Sequence, residues 1–379
     1  MHKHKQNPCK RKAEHRKTVM ILIIFCITVC SALVFIYYQK RRKEIEARQT
    51  WLETVLTEEK GWILENQGPG GEIYMNGSKA GDVNPYFACV AALGLLAETE
   101  NRPITEAEKK AVGRYLDWHS GILLETDGKM GIYRKEGEKL IYREKADSED
   151  GYLGMYLFLM GEYLEKTEST ELPESWEKGI HLALKKIQSL MQDGITQVSE
   201  ENTTAYLMDN LEVWKGLYKL EQAGVEDAHL IRELRGKLQE QLENTFWDDE
   251  TQKWRIIRDR DLYDPTEFYP DGVAQIYPLI YGFPVKEKRT QKKLYVQFTE
   301  KFQWQKLSER STKFLWTMTG MAAAQVGDVK RLMELLRNYK TEYCAERKYP
   351  LYTGEAGWIC MECEKLYALY ERKIWVEYS

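Results

Sequence analysis

Six short stretches of this 379-residue chain carry the residue types that acid/base chemistry needs. They are Asp82-Val-Asn-Pro85, Asp147-Ser-Glu-Asp150, Asp209-Asn-Leu-Glu212, Tyr269-Pro-Asp-Gly272, Ser308-Glu-Arg-Ser311 and Thr353-Gly-Glu-Ala356. Each precedes an apolar run of helical period, where unpaired N–H groups and the helix dipole favour carboxylates. Capping accounts for part of this: Asp209 with Glu212 fits a capping box, Asn84 before Pro85 is a standard helix start, and Thr353 can cap unaided. It leaves a surplus. Asp147 and Asp150 share one start, and Asp271 follows Pro270 behind an aromatic pair, Phe268 and Tyr269. Glu72 sits in the loop Gly68-Pro-Gly-Gly-Glu-Ile-Tyr74, where no helix needs it. Carboxylates brought to one cavity from separate elements can divide the work of bond hydrolysis at a sugar. One is held protonated for the leaving oxygen, and another stays ionised to activate water. Where the configuration inverts, they stand about 6.5–9.5 Å apart.

Aromatic side chains on the same segments supply flat faces for sugar rings. Tyr133, Tyr269, Trp316, Tyr352 and Trp358, with Glu355, are expected to contact the ligand; Trp247 and Trp254 are placed to bracket a hairpin.

The elements that must position these residues follow from period. Residues 47 to 372 give twelve helical segments and almost no long strand. Those starting near 47, 104, 173, 227, 288 and 328 are amphipathic, as in Leu230-Ile-Arg-Glu-Leu-Arg-Gly-Lys-Leu238. Those starting near 84, 150, 209, 271, 312 and 355 are apolar nearly all round, as in Tyr152 to Met160. A helix without a polar face has to be enclosed. Strict alternation of six wet and six enclosed helices implies an all-α (α/α)6 toroid, with a solenoid as the alternative. Connections from inner to outer helices are short, and those from outer to inner are mostly long. The long ones, with small hairpins expected over Lys129–Arg143 and Trp254–Tyr263, therefore gather at one end and build a site there.

Charge and composition narrow the ligand. The net charge of −4 hides eleven Lys/Arg against one acid in residues 1–43, which leaves −14 on the remainder. An acidic body without a basic stripe argues against nucleic acid and against polyanionic glycans. Twenty-four Tyr and eleven Trp against six His suit neutral rings better than metals, and neither metal nor cofactor is expected. Cys360 and Cys363 form a CxxC in an apolar stretch with no second pair and no nearby His, so they are expected as core rather than zinc ligands.

Val19–Tyr38 has twenty residues without a charge, enough to span about 30 Å of hydrocarbon. It ends in Tyr37-Tyr38 and a Lys/Arg cluster, which favours an uncleaved anchor over a signal peptide. The expected order is a basic cytoplasmic tail at 1–18, an anchor at 19–38, a juxtamembrane linker at 39–49 and a monomeric toroid at 50–379. The toroid is expected outside the cytoplasm at a bacterial cell membrane.

With those residues the chain resembles the six-hairpin glycosidases, and among them glycoside hydrolase family 8 and its clan. The resemblance implies Glu72 as general acid. It implies Asp271, in Phe268-Tyr-Pro-Asp-Gly-Val-Ala274, as the inverting base. Ala146-Asp-Ser-Glu-Asp-Gly-Tyr152 is similar to the element that holds the sugar at the cleavage point, which gives that role to Asp147 and Asp150, with Asp209 beside them. The chain departs from family 8 in reading Gly71-Glu-Ile73 around the acid, in spacing its aspartates by two residues, and in placing Pro270 inside the base motif. The expected function is a membrane-anchored, inverting hydrolase of a neutral glycan. The alternatives are a non-catalytic glycan-binding protein on the same fold, or a polysaccharide lyase or sugar epimerase.

Overall fold

The computed structural model describes residues 8–77, 81–137, 139–169, 171–259, 264, 266–307, 314–347 and 350–378. Contacts divide the chain into two units. One holds the chain up to Trp51 and from Arg372 onward, and the other is Leu52–Glu371.

In the first unit, α1 (Pro8–Glu65) is one uninterrupted helix that continues into the second. The expected linker at 39–49 is therefore helical, and no new helix starts near 47. Nothing in 39–49 breaks the run, since it holds neither Gly nor Pro. The apolar side chains from Val19 to Tyr37 are exposed, Phe25 at 65% and Ile36 at 62%. A helix this long and this apolar can cross a membrane.

The second unit is the alternating array. Its outer members are α1 from Leu52, α3 (Glu106–Glu125), α5 (Glu174–Leu190), α7 (Ala228–Phe246), α9 (Lys288–Phe302) and α11 (Val329–Glu342). Its inner members are α2 (Pro85–Leu95), α4 (Glu149–Thr167), α6 (Leu207–Ala223), α8 (Tyr277–Tyr281), α10 (Thr319–Val326) and α12 (Thr353–Tyr378). The core lies in the inner ring, where α2 and α4 are buried almost throughout, while α5 and α7 bury one stripe. Inner helix four is shorter than its apolar run: a π turn at Phe268–Gly272 precedes α8, because Pro270 and Pro278 each withhold an N–H. The start expected at Ser308-Glu-Arg-Ser311 lies outside the described residues.

Three long connections carry antiparallel hairpins. Strands β1 (Asp82–Val83), β2 (Gly131–Glu136) and β3 (Lys139–Lys145) form a three-stranded sheet in that order, with Asp82 opposite Arg134 and Val83 opposite Tyr133. β4 (Met191–Gln192) pairs with β5 (Ile195–Thr196), and β6 (Trp247–Asp248) with β7 (Lys253–Trp254). The last hairpin lies earlier than expected, and Trp247 and Trp254 face each other across it with ring centroids 5.1 Å apart. Cross-strand aromatic pairing sets that register.

Glycine lets two inner helices touch backbone to backbone. A Cβ on Gly154 of α4 would stand 2.6 Å from the Val213 nitrogen of α6, and one on Gly216 would stand 2.3 Å from the Gly154 oxygen. Neither contact can relax without parting the helices. Gly154→Ala should cost about 1–3 kcal/mol through overpacking and lower Tm by several degrees, which a thermal melt followed by circular dichroism measures.

Candidate functional site

The long connections open on a cavity of about 870 Å³ at the N-terminal ends of the inner helices. Its floor and walls come from α2 (Tyr86, Phe87), α4 with the segment before it (Asp147, Ser148, Gly151, Tyr152), α6 (Met208, Asp209, Glu212), the π turn and α8 (Tyr269, Tyr277), the segment before α10 (Phe314, Trp316, Met318) and α12 (Gly354, Glu355, Trp358). All six inner helices thus converge on one mouth. The β2–β3 hairpin adds Ile132, Glu144 and Lys145 at the rim.

Glu212 has the most unusual surroundings. It is buried, and its Oε1 accepts hydroxyls from Tyr86 (2.6 Å), Tyr277 (2.7 Å) and Tyr281 (3.3 Å), three residues on two other inner helices. Its Oε2 faces Gly151, where a Cβ would stand 2.8 Å away. Burial pushes the Glu212 carboxyl up to about 8, against the opposing pull of the tyrosine hydroxyls. A carboxyl raised this far favours its protonated form at neutral pH, within a cradle of tyrosine hydroxyls. Half-buried Asp209 stands one turn earlier, and burial, with Asp150, Glu212 and Asp147 nearby, raises it well above the ordinary carboxylate range. Asp147 lines the same cavity and is exposed. The cavity therefore offers one buried carboxyl pushed towards its protonated form and another open to water, the division of labour that general acid/base chemistry uses.

Another part of the lining is aromatic. Tyr269, 45% exposed, lies against Trp316 with centroids 4.4 Å apart at 34°. Glu355 holds that wall: its carboxylate accepts the backbone N–H groups of Leu315 (3.0 Å), Trp316 (3.0 Å) and Thr317 (2.9 Å), and the Thr317 hydroxyl. Six carboxylates and one lysine line the cavity. That lysine, Lys145, is paired with Glu149 (3.3 Å) and Glu201 (2.6 Å). With its one cation already paired, this lining offers an anion no free counter-charge among the described residues.

The structure brings together Asp147, Asp209, Tyr269, Trp316, Glu355 and Trp358, and leaves the remaining sequence candidates outside the lining. Glu72 is buried: its Oε1 accepts the Tyr74 hydroxyl at 2.7 Å, and Gly68 and Gly70 lie so close that a Cβ on either would stand under 3 Å from its carboxylate. Asp271 accepts the Asp264 N–H at 2.9 Å and stabilises the turn before α8. Asp150 is buried behind Asp147, accepting hydroxyls from Ser148 (2.8 Å) and Thr196 (2.7 Å), and burial raises it to about 6. Tyr133 is buried against Tyr74 and Val83 under Trp118. Half-buried Tyr352 packs on Phe87 and Phe314 from behind. The acid and base implied by the family 8 resemblance thus do not face the cavity.

Glu212 was the residue that sequence reasoning set aside, as a capping partner of Asp209. The box does not form: Tyr206 is the N-cap of α6 and makes no side-chain cap. Its signal was available, since a glutamate on an enclosed helix must find partners inside the ring. Ser148 caps α4 by accepting the Gly151 N–H at 3.2 Å, which releases both neighbouring aspartates from that task. Among the described residues, one group has metal-ligand spacing, Glu58, Glu59 and Cys344, but it lies outside this cavity. Glu59 there accepts from Tyr339 and Arg347.

No family model matches the chain, and no curated protein matches it in sequence. Solved structures do. A glycosidase with bound glucose superposes with a TM-score of 0.58 at 11% identity, covering 87% of this chain and 98% of that one. An α-1,6-mannanase of Salegentibacter sp. in complex with α-1,6-mannotriose gives 0.54 at 10%, covering 84% and 99%. An α-amylase from Clostridium perfringens gives 0.53 at 13%, covering 83% and 97%. At these identities the likeness is one of fold: the chain is built as the (α/α)6 glycosidases are, behind an apolar N-terminal helix.

Proposed function

We propose that this protein is a membrane-anchored glycoside hydrolase acting on a neutral oligo- or polysaccharide, with its catalytic domain outside the cytoplasm of a bacterial cell. The observation that carries the reading is Glu212, buried, cradled by three tyrosine hydroxyls and pushed up to about 8, in the same cavity as exposed Asp147 and the Tyr269–Trp316 stack. In this reading Glu212 donates its proton to the leaving glycosidic oxygen. Asp147 deprotonates the attacking water, and Asp209 holds the sugar hydroxyls between them. The bond from the anomeric carbon to the leaving oxygen breaks as a bond to the water oxygen forms on the opposite face, so the leaving sugar departs as an alcohol carrying the Glu212 proton, Asp147 keeps the proton from water, and the product anomer is inverted. The carboxylate-rich lining supports a neutral ligand over a uronate, and with it hydrolysis over elimination. Carboxylate chemistry has a parallel in the mannanase-like fold, where a variant with two neighbouring aspartates replaced is inactive.

Incubation of the full chain with neutral glucans, mannans and xylans, followed by proton NMR of the first anomer released, tests the reading. Release of the inverted anomer supports it. Binding without release over days would identify a glycan-binding protein instead, and release of the retained anomer would overturn the assignment of Asp147 as base. Tyr269→Ala removes the exposed half of the stack. It should raise KM about tenfold and leave kcat within about threefold, as steady-state kinetics on the hydrolysed glycan would measure.

A further inference from the structure

A carboxyl group has two oxygens, and the surroundings of Glu212 give them different work. Oε1 accepts the hydroxyls of Tyr86 (2.6 Å), Tyr277 (2.7 Å) and Tyr281 (3.3 Å). Three donors occupy both of its lone pairs, so it can neither carry the acid proton nor meet a substrate. Oε2 accepts no hydrogen bond among the described residues. A transferable proton therefore belongs on Oε2.

Oε2 faces the first turn of α4 at Gly151. A Cβ on Gly151 would stand 2.8 Å from Oε2, 2.8 Å from the Ser148 hydroxyl oxygen and 3.6 Å from the Ser148 Cβ. Two other glycines of this helix are small for a different reason. At Gly154 and Gly161 an added carbon would strike the backbone of α6, at the Val213 nitrogen (2.6 Å) and the Lys219 carbonyl carbon (2.5 Å), so helix packing demands them. At Gly151 the nearest neighbours are side-chain atoms alone. Gly151 also lines the sugar cavity together with Glu212, and Gly154 and Gly161 do not. Both side chains that a Cβ would crowd are held in place. The tyrosines hold Glu212, while Ser148 donates to Asp150 (2.8 Å) and accepts the Gly151 N–H (3.2 Å). Neither can swing aside without breaking these bonds.

We infer that Gly151 is a specificity-determining residue of the sugar cavity: its missing side chain leaves the space beside Glu212 Oε2 into which the leaving sugar brings its glycosidic oxygen. The inference rests on the hydrolase reading and adds to it the place of the leaving group, across the first turn of α4. Proton transfer needs that oxygen within about 2.6–3.2 Å of Oε2. A methyl group standing 2.8 Å from the same atom would occupy the approach. As the bond to the anomeric carbon breaks, the Oε2 proton passes to the departing oxygen and leaves a carboxylate. Water forms the new bond and gives its proton to Asp147. A fluoride leaving group is small and departs as an anion without taking a proton, so it needs neither Oε2 nor the space beside it.

Steady-state kinetics of the full chain in detergent on maltotetraose, cellotetraose, mannotetraose and xylotetraose, and on the matching glycobiosyl fluorides, test the inference. Gly151→Ala should lower kcat/KM on the hydrolysed tetraose by at least about a hundredfold, and on its fluoride by no more than about fivefold. Gly151→Ser, larger by a hydroxyl, should lower the tetraose rate further. A thermal melt of each variant establishes that it is folded. A Gly151→Ala rate on the tetraose within about threefold of the parent, or an equal loss on tetraose and fluoride, would overturn the inference and leave the hydrolase reading in place. A parent that hydrolyses neither kind of sugar would remove that reading, and the inference with it.

Discussion

Glu212→Gln should lower kcat by about 10²–10⁴-fold on any glycan the protein hydrolyses, because it removes the proton donated to the leaving oxygen and little else. The amide oxygen can still accept the hydroxyls of Tyr86, Tyr277 and Tyr281, so the cradle survives. Glu72→Gln and Asp271→Asn serve as internal comparisons. Neither side chain lines the cavity, and both variants should keep the parent rate within about threefold. If those two abolish turnover while Glu212→Gln retains it, the assignment of the acid is wrong. The pH profile gives a second, independent reading. Glu212 is active only while protonated, so the rate should fall as pH rises through about 8. Stability should change in the same direction. A carboxyl whose folded pKa is raised imposes no penalty below its unfolded value near 4.5, and the penalty grows as pH climbs to the folded value. There it reaches roughly 4 kcal/mol. The parent protein should therefore lose Tm between pH 5 and pH 8. Glu212→Gln should lose less and be the more stable of the two at pH 8.

The alternation of helices was legible because burial writes itself into composition along a whole helix. Tyr152 to Met160 has no wet face, and only enclosure explains that. The gathering of helix starts at one mouth followed from loop lengths. What did not follow was which carboxylate points where. Asp147 and Asp150 lie three residues apart at one helix start, yet one faces the cavity and the other is buried behind it on Thr196. The difference depends on a strand, β5, contributed from forty-six residues away, and no local pattern contains it. The same holds for Glu72, whose inward turn is fixed by Gly68, Gly70 and Tyr74 packing round it. The resemblance to family 8 points at α4 to Asp147, which lines the cavity, and takes its acid and base from motifs whose side chains here bond within their own loops.

Glu355→Ala should produce the largest loss of stability among single changes at the cavity, about 3–5 kcal/mol. Three backbone N–H groups, those of Leu315, Trp316 and Thr317, share this carboxylate, and two of those residues are buried. Removing a partner leaves each buried donor with a desolvation cost of about 1–3 kcal/mol. A second contribution comes from Trp316, a bulky residue held at φ +56°, in the left-handed region. The bonds from Glu355 hold the segment in that conformation, so losing them lets it relax and carries Trp316 away from Tyr269. Activity should then fall through KM before it falls through kcat, because Glu212 and its tyrosine partners are untouched. Two further variants separate the causes. Glu355→Gln keeps an acceptor oxygen and should cost roughly half as much in a denaturant melt. Trp316→Gly relieves the backbone strain while deleting the stacking face, so it should lose affinity with little loss of Tm. If Glu355→Ala melts within 1 °C of the parent, the carboxylate does not hold this wall. Glu355 would then be free to act on the substrate directly, whereas the three N–H contacts engage its carboxylate with the wall.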